Sequence, residues 1–444
     1  MTMLAQFLAA KGVQIIGSDI SEIFMTDAVL KKAKIKVLSP FAAQNVPSDV
    51  DLIVYSIAYS EQNNEEMAEA RKTGIKMMSY SEAVGEAFSQ HQGIAVCGSH
   101  GKTTVSAWLG YVLWQCGLQP NVLVGANVPQ FKGSDLIGRT KLFVAEADEY
   151  GNKLQYFFPY GVLLNNVDYD HPDYFKTSQD YTKVFAAFIK KIPKAGFLVV
   201  DFDDPIAKRL AKNNLGQTIS YSLKDKTANY FANNIRLERG KQVFSVYSQQ
   251  KYWGEIKTIL IGDHNVANAL ATIAGAIRLG AKKKDLIKSL GEFKGTARRL
   301  QTMGEYRGAK IIDDYGHHPT EIKATLAALR SLYPKRELIV LFHPHTFSRT
   351  AALFTDFSTS FSAANQVMVM DIYSSAREKK GKVTAQGLAA AIRLKSRVKT
   401  SYLKDIVAAT KYFKTNLKSN QILLLLGAGD VFRVGENLLY GKKK

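Results

Sequence analysis

Short apolar runs alternate with helical patterns along nearly the whole chain. This alternation confines the fold to the α/β class with mainly parallel sheets. Runs at 13–16 and 52–55 open the series, with one helix ahead of the first and another at 65–72. A polar stretch at 89–93 (SQHQG) reads as a linker. Further strands are expected at 94–97, 142–145, 162–165 and 197–200, then at 310–312, 338–342, 367–371 and 422–426. The helix after Gly262 should stop at Gly280, because glycine closes a helix without strain. At about 150 residues per domain, 444 residues make about three domains, placed at 1–91, 92–295 and 296–444.

A net charge of +20 first suggests nucleic acid. Its distribution argues otherwise: residues 1–91 carry −3, 92–295 carry +9, and 296–444 carry +14, ending in the lysines at 442–444. No arginine-rich block interleaves with aromatics, so no nucleic-acid partner is expected, and the basic surface is read as steering anionic substrates. The two cysteines, Cys97 and Cys116, lie in or beside apolar stretches and fit a reducing cytoplasm. No apolar run approaches the roughly 18 residues of a membrane span, and no basic segment precedes the apolar start. Neither a membrane association nor a secretory leader is expected.

Gly98-Ser99-His100-Gly101-Lys102-Thr103-Thr104 follows one apolar run and opens a helix. Free amides at a helix N-terminus make an anion site, and glycines let the backbone approach a phosphate. Lys102 can reach the outer phosphates and a threonine hydroxyl can hold Mg²⁺. The loop is a shorter variant, with Val96 where the common form has its first glycine. Two acidic turns follow later strands: Glu146-Ala-Asp148-Glu149 and Asp168-Tyr-Asp170-His171-Pro-Asp173. Ligands of open α/β sheets bind beyond the carboxyl ends of strands, so both turns should face the phosphate loop. Carboxylates, a hydroxyl and an imidazole suit Mg²⁺; solvated loops are the competing reading.

The last third carries Arg298-Arg299, Asp313-Asp314-Tyr315-Gly316-His317-His318-Pro319, His343-Pro-His345-Thr-Phe-Ser-Arg349 and Gly427-Ala-Gly429-Asp430. Arginine can neutralise a phosphoryl group in transfer or clamp a carboxylate. Paired Asp and His can position an amine or a metal. Seven of the eight histidines fall in such glycine, acid or arginine clusters.

As an ordered set, GSHGKTT (98–104), EADE (146–149), DYDHPDYF (168–175), GDHNVANALA (262–271), DDYGHHPTEI (313–322), HPHTFSRT (343–350), DIYSSARE (371–378) and GAGD (427–430) resemble the Mur ligase family. These are the ATP-dependent amide-forming enzymes of peptidoglycan precursor synthesis. The resemblance is to the branch that adds L-alanine to UDP-N-acetylmuramate, in its Gram-positive form. It implies Rossmann-like N- and C-terminal domains around a central P-loop ATPase-like domain, in a cytoplasmic monomer or homodimer. It implies a carboxylate activated by ATP to an acyl phosphate, then attacked by an amine.

Residue by residue, the resemblance places ATP phosphates on 98–104, with Lys102 central, and adenine on Asn265 and Asn268. Thr103, Glu146 and His171 resemble Mg²⁺ ligands. Arg299 and Asp314 resemble residues that close onto ATP. Tyr315, His317 and Arg349 lie where the alanine-adding branch holds the amino acid. Replacing Lys102 with alanine should then abolish turnover and leave folding intact.

The departures are informative. Val184-Phe185-Ala186-Ala187 stands where other branches carry a carbamoylated lysine, in keeping with the alanine-adding branch. Thr346 replaces a second arginine, leaving Arg349 alone for the carboxylate. The family's opening strand and glycine loop have no counterpart ahead of the helix at 2–10, so a shortened start is expected. Ser18, Asp19, Ser56 and Ala58 remain for the UDP-sugar, and exposed sheet edges and apolar surface are expected around them. The alternatives are a ligase that recycles murein tripeptide, and a nucleotide-binding remnant. A folate polyglutamylating ligase should lack the DDYGHHP and HPHTFSRT pair.

Overall fold

The computed structural model describes residues 1–22, 25–374, 378 and 380–441. Positions 375–377 of the DIYSSARE motif and the lysines at 442–444 lie outside them.

The central part is a sheet of ten strands among the described residues. Seven run parallel, in the order Asn121–Val128, Leu142–Glu146, Gln92–Cys97, Gly161–Leu164, Phe197–Asp201, Gln217–Ser222 and Tyr230–Glu238. Gly133–Leu136 adds antiparallel at one edge, and the hairpin Lys241–Ser248 and Lys251–Thr258 at the other. The middle strands are apolar on both faces because both faces are covered. Ile94 and Val96 pack with Trp108 and Val112 of helix Lys102–Gln115 and with Leu270 of helix Asp263–Arg278. Ala95 and Cys97 face the opposite core, with Phe185 and Phe188 of helix Ser178–Ile189. Helix Asp263–Arg278 ends as expected: Gly280 has φ +97°, and the Ala281 amide returns to the Ala276 carbonyl at 2.9 Å.

The last third of the chain folds into its own large sheet, covered on both faces and called the third sheet after that last third. Its order is Gln301–Tyr306, Ala309–Asp314, Gln421–Leu426, Glu337–Phe342, Gln366–Met370 and Lys399–Leu403. Only the first pair is antiparallel. Apolar clusters cover both faces.

Among the described residues, the first 91 form two parallel pairs, Ile16–Ser18 with Lys36–Leu38 and Ile53–Tyr55 with Met77–Ser79, which share no ladder. The first strand falls at Ile16–Ser18 rather than at 13–16. The reason is local: Val13 still belongs to the closing turn of helix Thr2–Ala10, its amide bonding the Leu8 carbonyl at 3.1 Å beyond Gly12 at φ +88°. Val13, Ile16, Ile20, Leu52 and Ile57 are exposed. Two aromatic anchors dock this part on the central sheet. Phe7 and Phe88 meet Phe143 edge-on at 5.1 and 5.7 Å. No helix among the described residues is long and apolar enough to cross a membrane.

Candidate active site

Gly98 and Gly101 shape the loop between strand Gln92–Cys97 and helix Lys102–Gln115. Both have positive φ, and a Cβ on Gly101 would sit 2.6 Å from Asn268 Oδ1 and 2.9 Å from Asn165 Nδ2. Helix Asp263–Arg278 therefore abuts the loop. Asn268 Nδ2 donates to Asn265 Oδ1 at 3.1 Å, and Asn265 Nδ2 donates to the Ile261 carbonyl at 2.9 Å. Ser99 Oγ donates to the Asp168 carbonyl at 2.6 Å, and Thr104 is buried in the first turn.

Lys102 Nζ donates to the Gly98 carbonyl (2.6 Å) and to both oxygens of Glu149 (3.2 and 2.9 Å). Burial opposes its charge, but Glu149, Asp148 and Glu146 hold the ammonium above the usual lysine range. Thr103 Oγ1 donates to Glu146 Oε1 at 2.8 Å, and the Gly125 amide donates to Glu146 Oε2 at 2.7 Å. Of the three expected metal ligands, Thr103 and Glu146 are therefore joined directly. The ligand atoms grouped with His171 belong to Asp148 and Glu149, all within 4.8 Å of one another. A cavity of about 240 Å³ lies between the first and central parts, and Tyr80, Lys102, Gly125, Glu146 and Asp148 line it.

The last third closes directly onto this loop. His100 Nε2 donates to Asp168 Oδ2 at 3.0 Å, and its Nδ1 is 3.5 Å from Glu321 Oε1. Burial opposes the imidazolium, but hydrogen bonds to Asp168 and Glu321 raise it to about 9. Thr320 Oγ1 also donates to Asp168 Oδ2, at 2.6 Å. Arg299 lies 3.4 Å from Glu321 Oε1, with its guanidinium over the Tyr315 ring. Asp314 is buried and takes the Leu300 and Gly316 amides at 2.7 and 2.8 Å, so in this state it fixes the turns around Arg299.

The expected amino-acid residues do converge. His317 lies 5.4 Å from the Tyr315 ring and 5.9 Å from that of His345. Burial and then Arg349 push His317 down to about 3, so it is a neutral imidazole. Arg349, however, already has a carboxylate. Its Nε donates to Asp170 Oδ1 at 2.7 Å and its Nη2 to Asp170 Oδ2 at 3.2 Å. Burial works against that carboxylate, yet Arg349 and the nearby histidines hold Asp170 well below the usual carboxylate range.

The expected UDP-sugar residues sit at strand ends. Asp19, next to Ser18, accepts from the Ile20 amide at 2.8 Å. Ser56 Oγ accepts from the Ala58 amide at 3.2 Å. Among the described residues no hydrogen bond joins the two pairs.

Sequence reasoning singled out the acidic motifs but missed the roles of Glu149, Asp168, Asp170, His318 and Glu321. Glu321 carried a usable signal. It lies three residues after the helix N-cap His318, the spacing of a capping box, and it takes the His317 and His318 amides at 3.0 and 3.3 Å.

Three family models match in this order: the Mur ligase catalytic domain at residues 1–92, the Mur ligase middle domain at 96–276, and the Mur ligase glutamate ligase domain at 298–429. The chain is 38% identical over 441 residues to the UDP-N-acetylmuramate–L-alanine ligase of Desulfitobacterium hafniense, covering 99% of this chain and 97% of that protein. It is 37% identical over 439 residues to the protein of the same name from Clostridium kluyveri, covering 98% and 94%. Among solved structures, it is similar to the UDP-N-acetylmuramate–alanine ligase of Thermotoga maritima, with TM-score 0.81 and 24% identity, covering 99% and 96%. The three matches run in order over most of the chain, the identity extends over nearly the full length of both proteins, and the chain belongs to the Mur ligase family.

Proposed function

We propose that this chain is an ATP-dependent ligase joining L-alanine to the carboxylate of UDP-N-acetylmuramate, a cytoplasmic step of peptidoglycan precursor synthesis. The observation that carries the reading is the 38% identity, over nearly the full length of both chains, to a relative named for that reaction. In this reading residues 1–91 hold the UDP-sugar, through Ser18, Asp19, Ser56 and Ala58. Residues 92–295 hold ATP, and 296–444 the amino acid, in a monomer or homodimer.

The residues present fit a nucleotide and its metal. The loop at Gly98 and Gly101 has no room for a Cβ, the helix N-terminus behind it offers free amides, and a half-buried lysine stands beside hydroxyl, carboxylate and imidazole donors. Thr103, Glu146 and His171 would hold Mg²⁺, which neutralises phosphate charge in the transfer. Lys102 moves its ammonium from Glu149 to the phosphates and stabilises the charge that develops there. Asn265 and Asn268 orient the adenine. Arg299 and Asp314 are brought to the nucleotide by closure of the third sheet, which excludes water from the activated carboxylate. Arg349 and Tyr315 orient the amino acid. His317, a neutral imidazole facing the same space, accepts a hydrogen bond from the attacking amine and orients its lone pair, and the proton the amine loses as the carbon–nitrogen bond forms leaves with the departing phosphate.

The test is release of phosphate from ATP with Mg²⁺, UDP-N-acetylmuramate and L-alanine. Release that needs both substrates is expected. Release only with a recycled muropeptide would replace this reading by the tripeptide-recycling one, and nucleotide binding without release would leave a remnant.

A further inference from the structure

Across the seam between the central sheet and the third, three side chains converge on one point. His100 comes from the phosphate loop, Asp168 from the turn after strand Gly161–Leu164, and His318 from the N-cap of helix Pro319–Leu332. One ligand atom from each lies within 4.8 Å of the others. His100 Nε2 is 3.0 Å from Asp168 Oδ2, and His318 Nδ1 is 3.5 Å from the same oxygen. Around a tetrahedral ion with bonds of about 2.0–2.1 Å, neighbouring ligand atoms stand about 3.3 Å apart. The two measured edges bracket that value.

The outer contacts are those of metal-binding histidines, in which the remaining ring nitrogen donates to a carbonyl or carboxylate and so fixes the tautomer. His318 Nε2 is 3.3 Å from the Tyr169 carbonyl. A carbonyl only accepts, so Nε2 carries the proton and Nδ1 presents a lone pair. That lone pair takes a long 3.3 Å contact from the Thr320 amide and otherwise faces the Asp168 oxygen, acceptor against acceptor. A cation between them resolves the conflict. His100 is arranged likewise, its Nδ1 backed by Glu321 at 3.5 Å. A metal here takes the place of the Nε2 proton that now bridges His100 to Asp168.

We infer that His100, Asp168 and His318 form a site for a divalent transition ion of the zinc class, joining the phosphate loop to the third sheet and holding the cleft between them shut. Two imidazoles and one carboxylate favour Zn²⁺, Co²⁺ or Ni²⁺ over Mg²⁺, which prefers oxygen donors. Three protein ligands leave the fourth position to water. The site is separate from the group around His171, and its existence does not depend on which amino acid is ligated.

The experiment titrates the full chain, without nucleotide and with excess Mg²⁺, using Zn²⁺ and then Co²⁺ as a visible probe. One equivalent should bind in a tetrahedral environment and raise the melting temperature. His318→Gln and Asp168→Asn should each abolish that binding, and Glu321→Gln should weaken it about 10–100-fold. His171→Gln, which alters only the other group, should leave it intact. Absence of binding, binding that survives His318→Gln and Asp168→Asn, or binding lost in His171→Gln alone would overturn the assignment. If the ligand variants do not fold, X-ray absorption on the wild-type zinc complex decides instead. Two imidazole nitrogens with a carboxylate oxygen are expected, and a single imidazole overturns the site.

Discussion

Arg349 and Asp170 form a buried two-point ion pair between the third and central sheets, with their side chains only 5% and 6% exposed. The Asp170 carboxylate occupies the same guanidinium that the proposed function assigns to the amino acid. Removing one partner of a buried pair strands the other, at a cost of about 3–5 kcal/mol. Asp170→Asn is therefore expected to loosen closure of the third sheet, seen as an increased radius in small-angle scattering. An unchanged radius would show that the pair does not hold the two parts together.

Lys102 and Glu149 revise an expectation. From sequence, Lys102→Ala should stop turnover and spare the fold. The structure instead buries Glu149 to 1% exposure against the Lys102 ammonium, supported by the Tyr181 hydroxyl at 2.9 Å. Lys102→Ala leaves that carboxylate unpaired and should also lower stability, again by about 3–5 kcal/mol. Adding Glu149→Gln should restore most of the melting temperature without restoring phosphate release. A Lys102→Ala variant that melts like the wild type would contradict the pairing.

These two pairs show where reading the chain in one dimension stops. The phosphate loop, its helix and the Gly280 stop were legible because each is decided within a few residues by periodicity, glycine and capping. The motif residues were legible as a set. Their partners were not, since Lys102 finds Glu149 47 positions away and Arg349 finds Asp170 179 positions away, across parallel strands whose order no local pattern dictates. Asp314 is a related case. Its motif marked it for nucleotide closure, while its oxygens are engaged by the backbone of its own turns. The first strand was displaced for a local reason, the closing turn at Gly12 and Val13, which the apolar run concealed.

Gly101 offers a test of the loop itself. Its φ of +80° is left-handed, and a Cβ would press on Asn268 and Asn165. Non-glycine residues in that region cost about 1–3 kcal/mol, before any clash. Gly101→Ala should lower the melting temperature and weaken nucleotide binding together, measured by thermal denaturation with and without ATP. Loss of stability with full nucleotide affinity would mean that the loop backbone does not cradle the phosphates.

The seam between the sheets should be bounded in pH from both sides. His100 is raised to about 9, so its contribution is fully present below its unfolded value of about 6.5 and is lost as pH climbs through about 9. Asp168, lowered to about 2 by His100 and Thr320 against its burial, contributes above about 3.9 and fails only as pH falls through about 2. His264, His317 and His345 act in the opposite sense to His100. Burial first, then Arg299 for His264 and Arg349 for the other two, pushes them down to about 4, 3 and 4. The unfolded chain takes up their protons below about 6.5 while the closed form does not, so stability falls as pH drops from there toward 3–4. The two windows meet near pH 6.5, where closure should be tightest. Hydrogen exchange of the 313–322 segment across pH 4–10, corrected for intrinsic rates, should show maximal protection near that point. His100→Gln should remove the alkaline limb and leave the acid limb in place; a protection profile that rises steadily to pH 10 would refute the assignment of the alkaline limb to His100.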